Sequence, residues 1–335
     1  MMLDISVVVP TRNRAQSLRK LLITLEKQTL SQNNYEILVI DNGSIDETGQ
    51  LCAEYKTKFC NFQYLYNENP GLHVGRNMGY LQSKSEIIVF ADDDIEVEPT
   101  WLEAISDGFK RHKDVVLIGG SDIPKYEEQP PQWVDELWRV QDNDIKLLVD
   151  YSCIILGNRE KEINPYYVFG CNFAVRKWIL DKTEGFHPDG VPDDLLCFRG
   201  DGESYISNYI LSNGLKTLFI PEASVYHAVT KNRMTIEYVK KIAYRNGISS
   251  AYTLLRKNKI VSLVYVISRE KIRCFVRMTK SSMMDELKDK ERLRGMQYLL
   301  IQFIKNPNVR EWIARKNYLE ERGNIPLNKD NYKGF

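Results

Sequence analysis

Three consecutive aspartates, Asp92, Asp93 and Asp94, close an apolar run in the stretch EIIVFADDDIEVEPTWL, residues 86–102. Carboxylates packed side by side repel, and each raises the pKa of the others unless a cation sits among them. A divalent metal with oxygen ligands removes that conflict. Alternate residues of an extended segment point the same way, so Asp92 and Asp94 are expected to approach one ion while Asp93 points elsewhere. An N-cap favours aspartate and accounts for one of the three, but not for the cluster. Clustered acids with mutually perturbed pKa values mark a candidate functional site.

Two other polar tips follow apolar runs. Pro10-Thr11-Arg12-Asn13 ends the run ISVVVP, and Asp41-Asn42-Gly43-Ser44-Ile45-Asp46 ends YEILVID. A carboxylate at a strand end can accept hydrogen bonds from a ribose or from a base N–H. No GxGxxG follows the first run, which argues against a dinucleotide fold. The glycines come later, in Gly71-Leu72-His73-Val74-Gly75-Arg76-Asn77. Glycine there lets backbone approach a ligand, and Arg76 can reach a phosphate. A turn, a helix cap for Asp46 and a surface ion pair for Arg76 are the plainer uses of these residues.

The elements that must hold these tips are legible as alternating patterns. ISVVVP (5–10) is a continuous β-branched run, and YEILVID (35–41), FQYLYN (62–67) and EIIVFAD (86–92) read as the next three strands. Between them Leu18, Leu21, Leu22 and Leu25 recur on one helical face. DETGQLCAEYKTKF reads as a second helix, NPGLHVGRNMG as a turn into a third, and Pro99 suits a first helical turn. Such strands joined by helices imply an α/β fold, a mostly parallel sheet covered on both faces. Ligands of such sheets bind beyond the carboxyl ends of the strands, where the aspartates lie. From about residue 235 the pattern turns helical. EYVKKIAYRNGISSAYTLLRK and MDELKDKERLRGMQYLLIQFIKN are amphipathic, and IVSLVYVISREKIRCFVRM between them mixes apolar and basic residues.

With 335 residues, 43% hydrophobic and 27% charged, the chain can bury a sizeable core as one large domain or a domain with an extension. Its formal charge of +1 hides a division. Residues 231–335 hold 24 Lys and Arg against 10 Asp and Glu, and the remainder is acidic. A membrane surface, rather than nucleic acid, is the expected anionic partner of the basic region. A solvated basic face, a helical cap on the body or a homodimer interface are its other uses. No apolar run approaches the ~20 residues that span a bilayer, and Met1 leads almost directly into ISVVVP, so no secretory leader is expected. Six cysteines form no CxxC pair, which points to reduced thiols in a cytoplasmic protein.

Six blocks carry a resemblance. SVVVPTRNR, VIDNGSIDET, NPGLHVGRNMG and FADDDIEVEPTWL stand in the order seen in family 2 glycosyltransferases of the GT-A fold. FGCNFAVRK (169–177) is similar to that family's acceptor-side segment, and FRGDGESYISNYILSNGLKTLFIPEASVYH (198–227) to its block of GED, a later glycine and a closing histidine. The resemblance spans roughly residues 4–235. It implies a GT-A, Rossmann-like sheet over 1–235, with a nucleotide-sugar half to 120 and an acceptor half from 121, followed by a basic helical extension over 236–335. It also implies inverting transfer from a UDP-, dTDP- or GDP-sugar to a glycan or lipid-linked glycan, with Mn2+ or Mg2+, as in bacterial surface polysaccharide synthesis.

Sugar transfer from a nucleotide diphosphate needs a cation to offset charge growing on the leaving phosphate. Asp94 is the expected direct ligand, with Asp92 second, directly or through water. His227 matches the family position that completes the metal shell. The resemblance assigns Pro10, Thr11, Arg12, Asp41 and Arg76, with Asp92 and Asp93, to the nucleotide-sugar, and Asn172 to the acceptor. Inversion needs a base for the acceptor hydroxyl. In the family it is the aspartate of GED, which aligns with Glu203 when counted back from Gly214. GED thus becomes Asp201-Gly202-Glu203, a departure that leaves Asp201 as a rival base. Arg233, six residues past His227, can clamp a diphosphate from a closing loop. Trp133 and Trp138 can form an acceptor platform, although buried packing is the commoner fate of tryptophan. A metal-dependent nucleotidyltransferase and a non-catalytic nucleotide-sugar-binding scaffold are the competing readings.

Overall fold

The computed structural model describes residues 3–142, 144–277 and 282–319. The N-terminal half alternates β1 (Ile5–Thr11), α1 (Ala15–Leu25), β2 (Tyr35–Asp41), α2 (Thr48–Tyr55), β3 (Phe62–Tyr66), α3 (Leu72–Gln82) and β4 (Ile87–Ala91). Then come β5 (Ile95–Val97), α4 (Trp101–Arg111), β6 (Val115–Gly119) and β7 (Asp122–Tyr126). Short strands follow: β8 (Arg139–Asp142), β9 (Ile145–Leu148), β10 (Cys153–Ile155) and β11 (Lys161–Glu162). The body closes with β12 (Asn172–Arg176), α5 (Lys177–Thr183), α6 (Ser204–Ser212), β13 (Lys216–Phe219) and β14 (Val225–Val229). Four helices end the described chain: α7 (Ile236–Arg256), α8 (Ile260–Arg277), α9 (Met283–Lys305) and α10 (Pro307–Ala314).

The main sheet has the order β11-β13-β6-β12-β4-β1-β2-β3. Strands β4, β1, β2 and β3 run parallel, as their continuous apolar sequences require. Both faces are covered because successive β1 residues alternate sides. Val7 and Val9 pack with α1, α2 and α4, while Val8 packs with α3, α5 and α6. Strand β12 lies antiparallel between β4 and β6, and its Asn172 pairs with Ala91 at the end of β4.

A second sheet, not anticipated from the sequence, has the order β5-β14-β7-β10-β9-β8. The run TLFIPEASVYH is broken by Pro221 into β13 and β14, which belong to different sheets. Proline lacks the N–H that a continuing ladder would need. Strand β5 leaves the aspartate turn and pairs antiparallel with β14, so His227 stands opposite Ile95.

Helices α7 to α10 share a core with the segment Val191–Phe198 of the body, centred on Tyr252, Leu263, Leu299 and Trp312. Helices α7 and α9 cross at Gly247 and Gly295. A Cβ on Gly247 would fall 2.0 Å from the Arg292 carbonyl oxygen, and one on Gly295 2.0 Å from that of Tyr244. Thr235 caps α7 by accepting from the Tyr238 amide. Cys52, Cys153, Cys171 and Cys197 are buried and Cys60 is exposed, all as free thiols; the Cys274 side chain lies outside the described residues, as does the extension beyond residue 319. No described helix is long and apolar enough to cross a membrane.

Candidate active site

The carboxyl ends of β1 and β4 and the start of β14 converge on a cavity of about 440 Å3. Asp92, Asp93 and Asp94 form the turn from β4 to β5, and the sheet places a cation beside each. Asp93 is 3% exposed. It accepts from Thr11 Oγ1 at 2.7 Å and from Arg14 at 2.9 Å. Asp94 meets Arg14 at 2.8 Å and His227 Nε2 at 3.3 Å, with Arg233 at 3.6 Å. Asp92 accepts from Arg76 at 2.6 Å. The mutual repulsion expected among three acids is therefore relieved largely by guanidinium groups.

Burial and charge split the two buried aspartates. Burial drives the Asp93 carboxyl upward against the pull of Arg14. Burial pushes Asp94 the same way, but hydrogen bonding and charge from His227 and Arg14 outweigh it and hold Asp94 far below the ordinary range. Burial disfavours the His227 imidazolium, yet the bond to Asp94 more than reverses this and raises its pKa well above the ordinary value.

Asp94 and His227 are the residues best placed to hold a metal. Two neighbouring ligands of one octahedral ion at ~2.1 Å lie roughly 3 Å apart, close to the separation between Asp94 Oδ1 and His227 Nε2. A carboxylate with an imidazole suits Mn2+ or Mg2+. A second group, His73, Asp189 and Glu203, brings its ligand atoms within 4.8 Å of one another. There the Arg76 guanidinium stands 3.3 Å from His73 and 3.8 Å from Glu203, and a cation already occupies the electrostatic role of a metal.

A second cavity of about 360 Å3 adjoins the first, and both are lined by Ser152 and Tyr238. Asp201 and Glu203 line the second cavity. Asp201 is held on both oxygens, by His187 Nδ1 at 2.6 Å and by Thr253 Oγ1 at 2.7 Å. Glu203 is more open, 29% exposed against 11%. Burial raises the Glu203 carboxyl, but the His73 hydrogen bond at 3.2 Å and the charges of His73 and Arg76 pull it well below the usual carboxylate range. Arg76 is 1% exposed and bridges Asp92 to the Gly170 carbonyl oxygen and to the Glu203 side. Its bed is a glycine by necessity, since a Cβ on Gly170 would lie 2.3 Å from the guanidinium.

The residues singled out in the sequence separate into groups. Pro10, Thr11, Arg12, Asp92, Asp93, Asp94, His227 and Arg233 line the first cavity. Asp41 lies buried beneath the β2 end, accepting from the Ser44 amide and from Tyr64 Oη. Arg76 is sealed away from the cavity wall. Asn172 is buried, its amide spent on Trp101 and the Ala223 carbonyl. Trp133 and Trp138 pack half-buried in a separate apolar cluster with Tyr151 and Val239. Arg14, His73, Ser152, Tyr238 and Arg245 also belong to the two cavities or their walls. Arg14 closes the TRNR tip and could have been read there; the others carry no local signal.

The sequence profile of Glycosyl transferase family 2 matches residues 6–183, just over half of the chain. Glycosyltransferase AglE of Haloferax volcanii is 36% identical over 100 residues, which is 30% of this chain and 33% of that protein. Glucosyl-dolichyl phosphate glucuronosyltransferase of the same organism is 24% identical over 282 residues, covering 80% of this chain and 86% of that protein. The chain spans a third or less of the length of several curated relatives it matches. Among solved structures, the mannosyltransferase PcManGT from Pyrobaculum calidifontis, in complex with GDP-Man and Mn2+, superposes with a TM-score of 0.51 at 17% identity. That match covers 94% of this chain and 74% of the other, and the likeness is one of GT-A fold.

Proposed function

Because the chain belongs to glycosyl transferase family 2, we propose that it is an inverting glycosyltransferase that moves a sugar from a nucleoside-diphosphate sugar to a hydroxyl acceptor. The donor lies in the first cavity. Its wall holds Arg12, Arg14, Arg233 and Arg245 beside the aspartates, a set suited to a diphosphate that arrives with a cation. Asp94 and His227 would hold that Mn2+ or Mg2+ ion, with Asp92 nearby. When bound, the ion offsets the charge that gathers on the leaving diphosphate. PcManGT, which carries Mn2+ and GDP-Man, supports this reading of the donor side.

The acceptor lies in the second cavity. Its hydroxyl proton passes to the Glu203 carboxylate as its oxygen bonds to the anomeric carbon, and the bond from that carbon to the diphosphate breaks. Attack from the face opposite the leaving group inverts the centre. The observation that carries the reading is the junction of the two cavities at Ser152 and Tyr238, an arginine-rich chamber opening on one that holds an ionised carboxylate. The second chamber is lined by Asp150, Asp189, Asp201 and Glu203 and one guanidinium, Arg199, which is paired to Asp189; Lys288 on Asp150 and His73 and Arg76 on Glu203 stand behind the lining. Such a wall repels phosphates and uronates, so the acceptor site takes an uncharged saccharide unit of a glycan or lipid-linked glycan. The glucuronosyltransferase that acts on glucosyl-dolichyl phosphate is a relative in keeping with a lipid-linked acceptor. The setting is the cytoplasmic face of a membrane during surface polysaccharide synthesis.

A panel of UDP-, dTDP- and GDP-sugars with Mn2+ and neutral glycosides tests this directly. Release of the nucleoside diphosphate is expected. Release of pyrophosphate would identify a nucleotidyltransferase, and no turnover with any donor despite nucleotide binding would leave a non-catalytic binding protein.

A further inference from the structure

Helix α8 buries one face and leaves the other uncovered. Leu263 and Ile267 point into the core shared with α7, α9 and α10. On the opposite side Val261 is 79% exposed, Val264 48%, Tyr265 66% and Ile272 66%. Positions 261, 264, 265, 268 and 272 share one face of a helix with 3.6 residues per turn. Four large apolar side chains in one outward stripe are more than scattered surface hydrophobics explain.

The charges around the stripe say what covers it. Between Lys257 and Arg277 the chain carries six basic residues and one acid, Glu270. Arg269 and Lys271 flank the stripe on its two sides, each about 80° from its centre by helix geometry. Arg269 is 58% exposed although it pairs with Glu270. Lys257 and Lys259 stand exposed at the N-terminal end. An apolar ridge bordered by cations fits the headgroup boundary of an anionic bilayer, where methyl groups and a tyrosine ring sink in and lysines meet lipid phosphates.

The geometry points to α8 as an interfacial membrane-docking helix that lies flat on anionic lipid by its Val261, Val264, Tyr265 and Ile272 face. This rests on the cytoplasmic-face reading above and gives it a structural element. Only Lys257, Asn258 and Lys259 separate α8 from α7, and α7 supplies Asn246, Ser249, Ser250 and Thr253 to the acceptor cavity. Docking α8 therefore holds the C-terminal end of α7, three residues away, near the lipid surface.

Flotation of the full chain with phosphatidylcholine vesicles, with and without phosphatidylglycerol, is the test. Wild type is expected to float with the anionic vesicles and to be released by high salt. Tyr265→Ser/Ile272→Ser should lower the bound fraction by about tenfold. The single change Val261→Ser, at the most exposed site, should lower it severalfold and serves if the double variant misfolds. Melting temperature and nucleotide affinity of each variant should match wild type, since none of these residues lines either cavity. A wild type that stays off anionic vesicles at low salt overturns the proposal. So does a wild-type dimer that Tyr265→Ser/Ile272→Ser converts to monomer while vesicle binding is unchanged, which would give the face to a second copy. Donor turnover on soluble glycosides reports separately on the transferase reading, and it can fail while flotation succeeds, or the reverse.

Discussion

Replacing Glu203 by glutamine keeps the size and one hydrogen-bond acceptor of the side chain but removes its capacity to take a proton. General-base assistance is worth about 10² to 10⁴ in rate, which is about 3 to 5 kcal/mol of barrier. Glu203→Gln should lower kcat within that range and leave the affinity for nucleoside diphosphate within about twofold, because the residue lines the second cavity and not the first. The pH dependence follows from the sign of the pKa shift. His73 and Arg76 overcome burial and hold the folded-state pKa below its unfolded value near 4.3. The carboxylate is thus ionised throughout pH 5–8, and its stabilising contribution is present above about pH 4.3 and lost as pH falls through the folded value. Wild type and Glu203→Gln should differ in melting temperature at pH 7, and the gap should narrow below about pH 4. Asp201→Asn supplies the contrast. Both Asp201 oxygens are already engaged by His187 and Thr253, so this change should cost less than about tenfold in kcat, acting through position. Nucleoside diphosphate release and calorimetry read both quantities. A Glu203→Gln enzyme retaining a third of wild-type turnover, beside an inert Asp201→Asn, would refute the assignment and move the base to Asp201.

Other outcomes can be stated briefly. Asp94→Ala should abolish metal-dependent enhancement of nucleotide binding; calorimetric affinity that responds to Mn2+ as in wild type would remove Asp94 from the ion. Arg76→Met should leave Asp92 and the Gly170 carbonyl without their donor and cost about 3 to 5 kcal/mol, as broken buried pairs do, seen as a melting temperature lowered by about 10 °C. Gly247→Ala should destabilise by about 3 kcal/mol or more, because the new methyl meets the Arg292 backbone, which cannot rotate aside as a side chain would. In acceptor panels, neutral glycosides should be used at least tenfold better than their phosphorylated or uronate counterparts, and Asn246→Lys should narrow that gap.

Strands β1, β2 and β4 and the helices between them were legible because each of these strands is buried on both faces and so reads as a largely apolar run. The aspartate tip and Thr11 were legible for a related reason, since each follows or ends such a run; His227, in the middle of β14, was reached through the family resemblance. The second sheet was not. Its strands are three to five residues long around irregular segments, and β5 merges with the turn that precedes it. Arg76 shows a further gap between composition and placement. Its charge suggested a phosphate contact, but only the fold reveals that the side chain turns inward from α3 over Gly170. Trp133 and Trp138 follow the commoner course for tryptophan and pack into an apolar cluster. The pairing of Glu203 with His73 joins residues 130 positions apart, and no local pattern carries it.

Asn246, Ser249, Ser250 and Thr253 of α7 sit beyond the stretch that matches the family profile, yet they wall the acceptor cavity. Choice of acceptor would then be inherited with the C-terminal helices, while choice of nucleotide stays with the strands that bear Thr11 and the aspartates. The glycine-to-glycine crossing ties α7 to α9 so closely that the two helices would have to be exchanged together. A chimera that borrows both from a relative but retains Tyr238 and Arg245, the two α7 residues that reach the donor cavity, should accept that relative's glycan and keep its own donor.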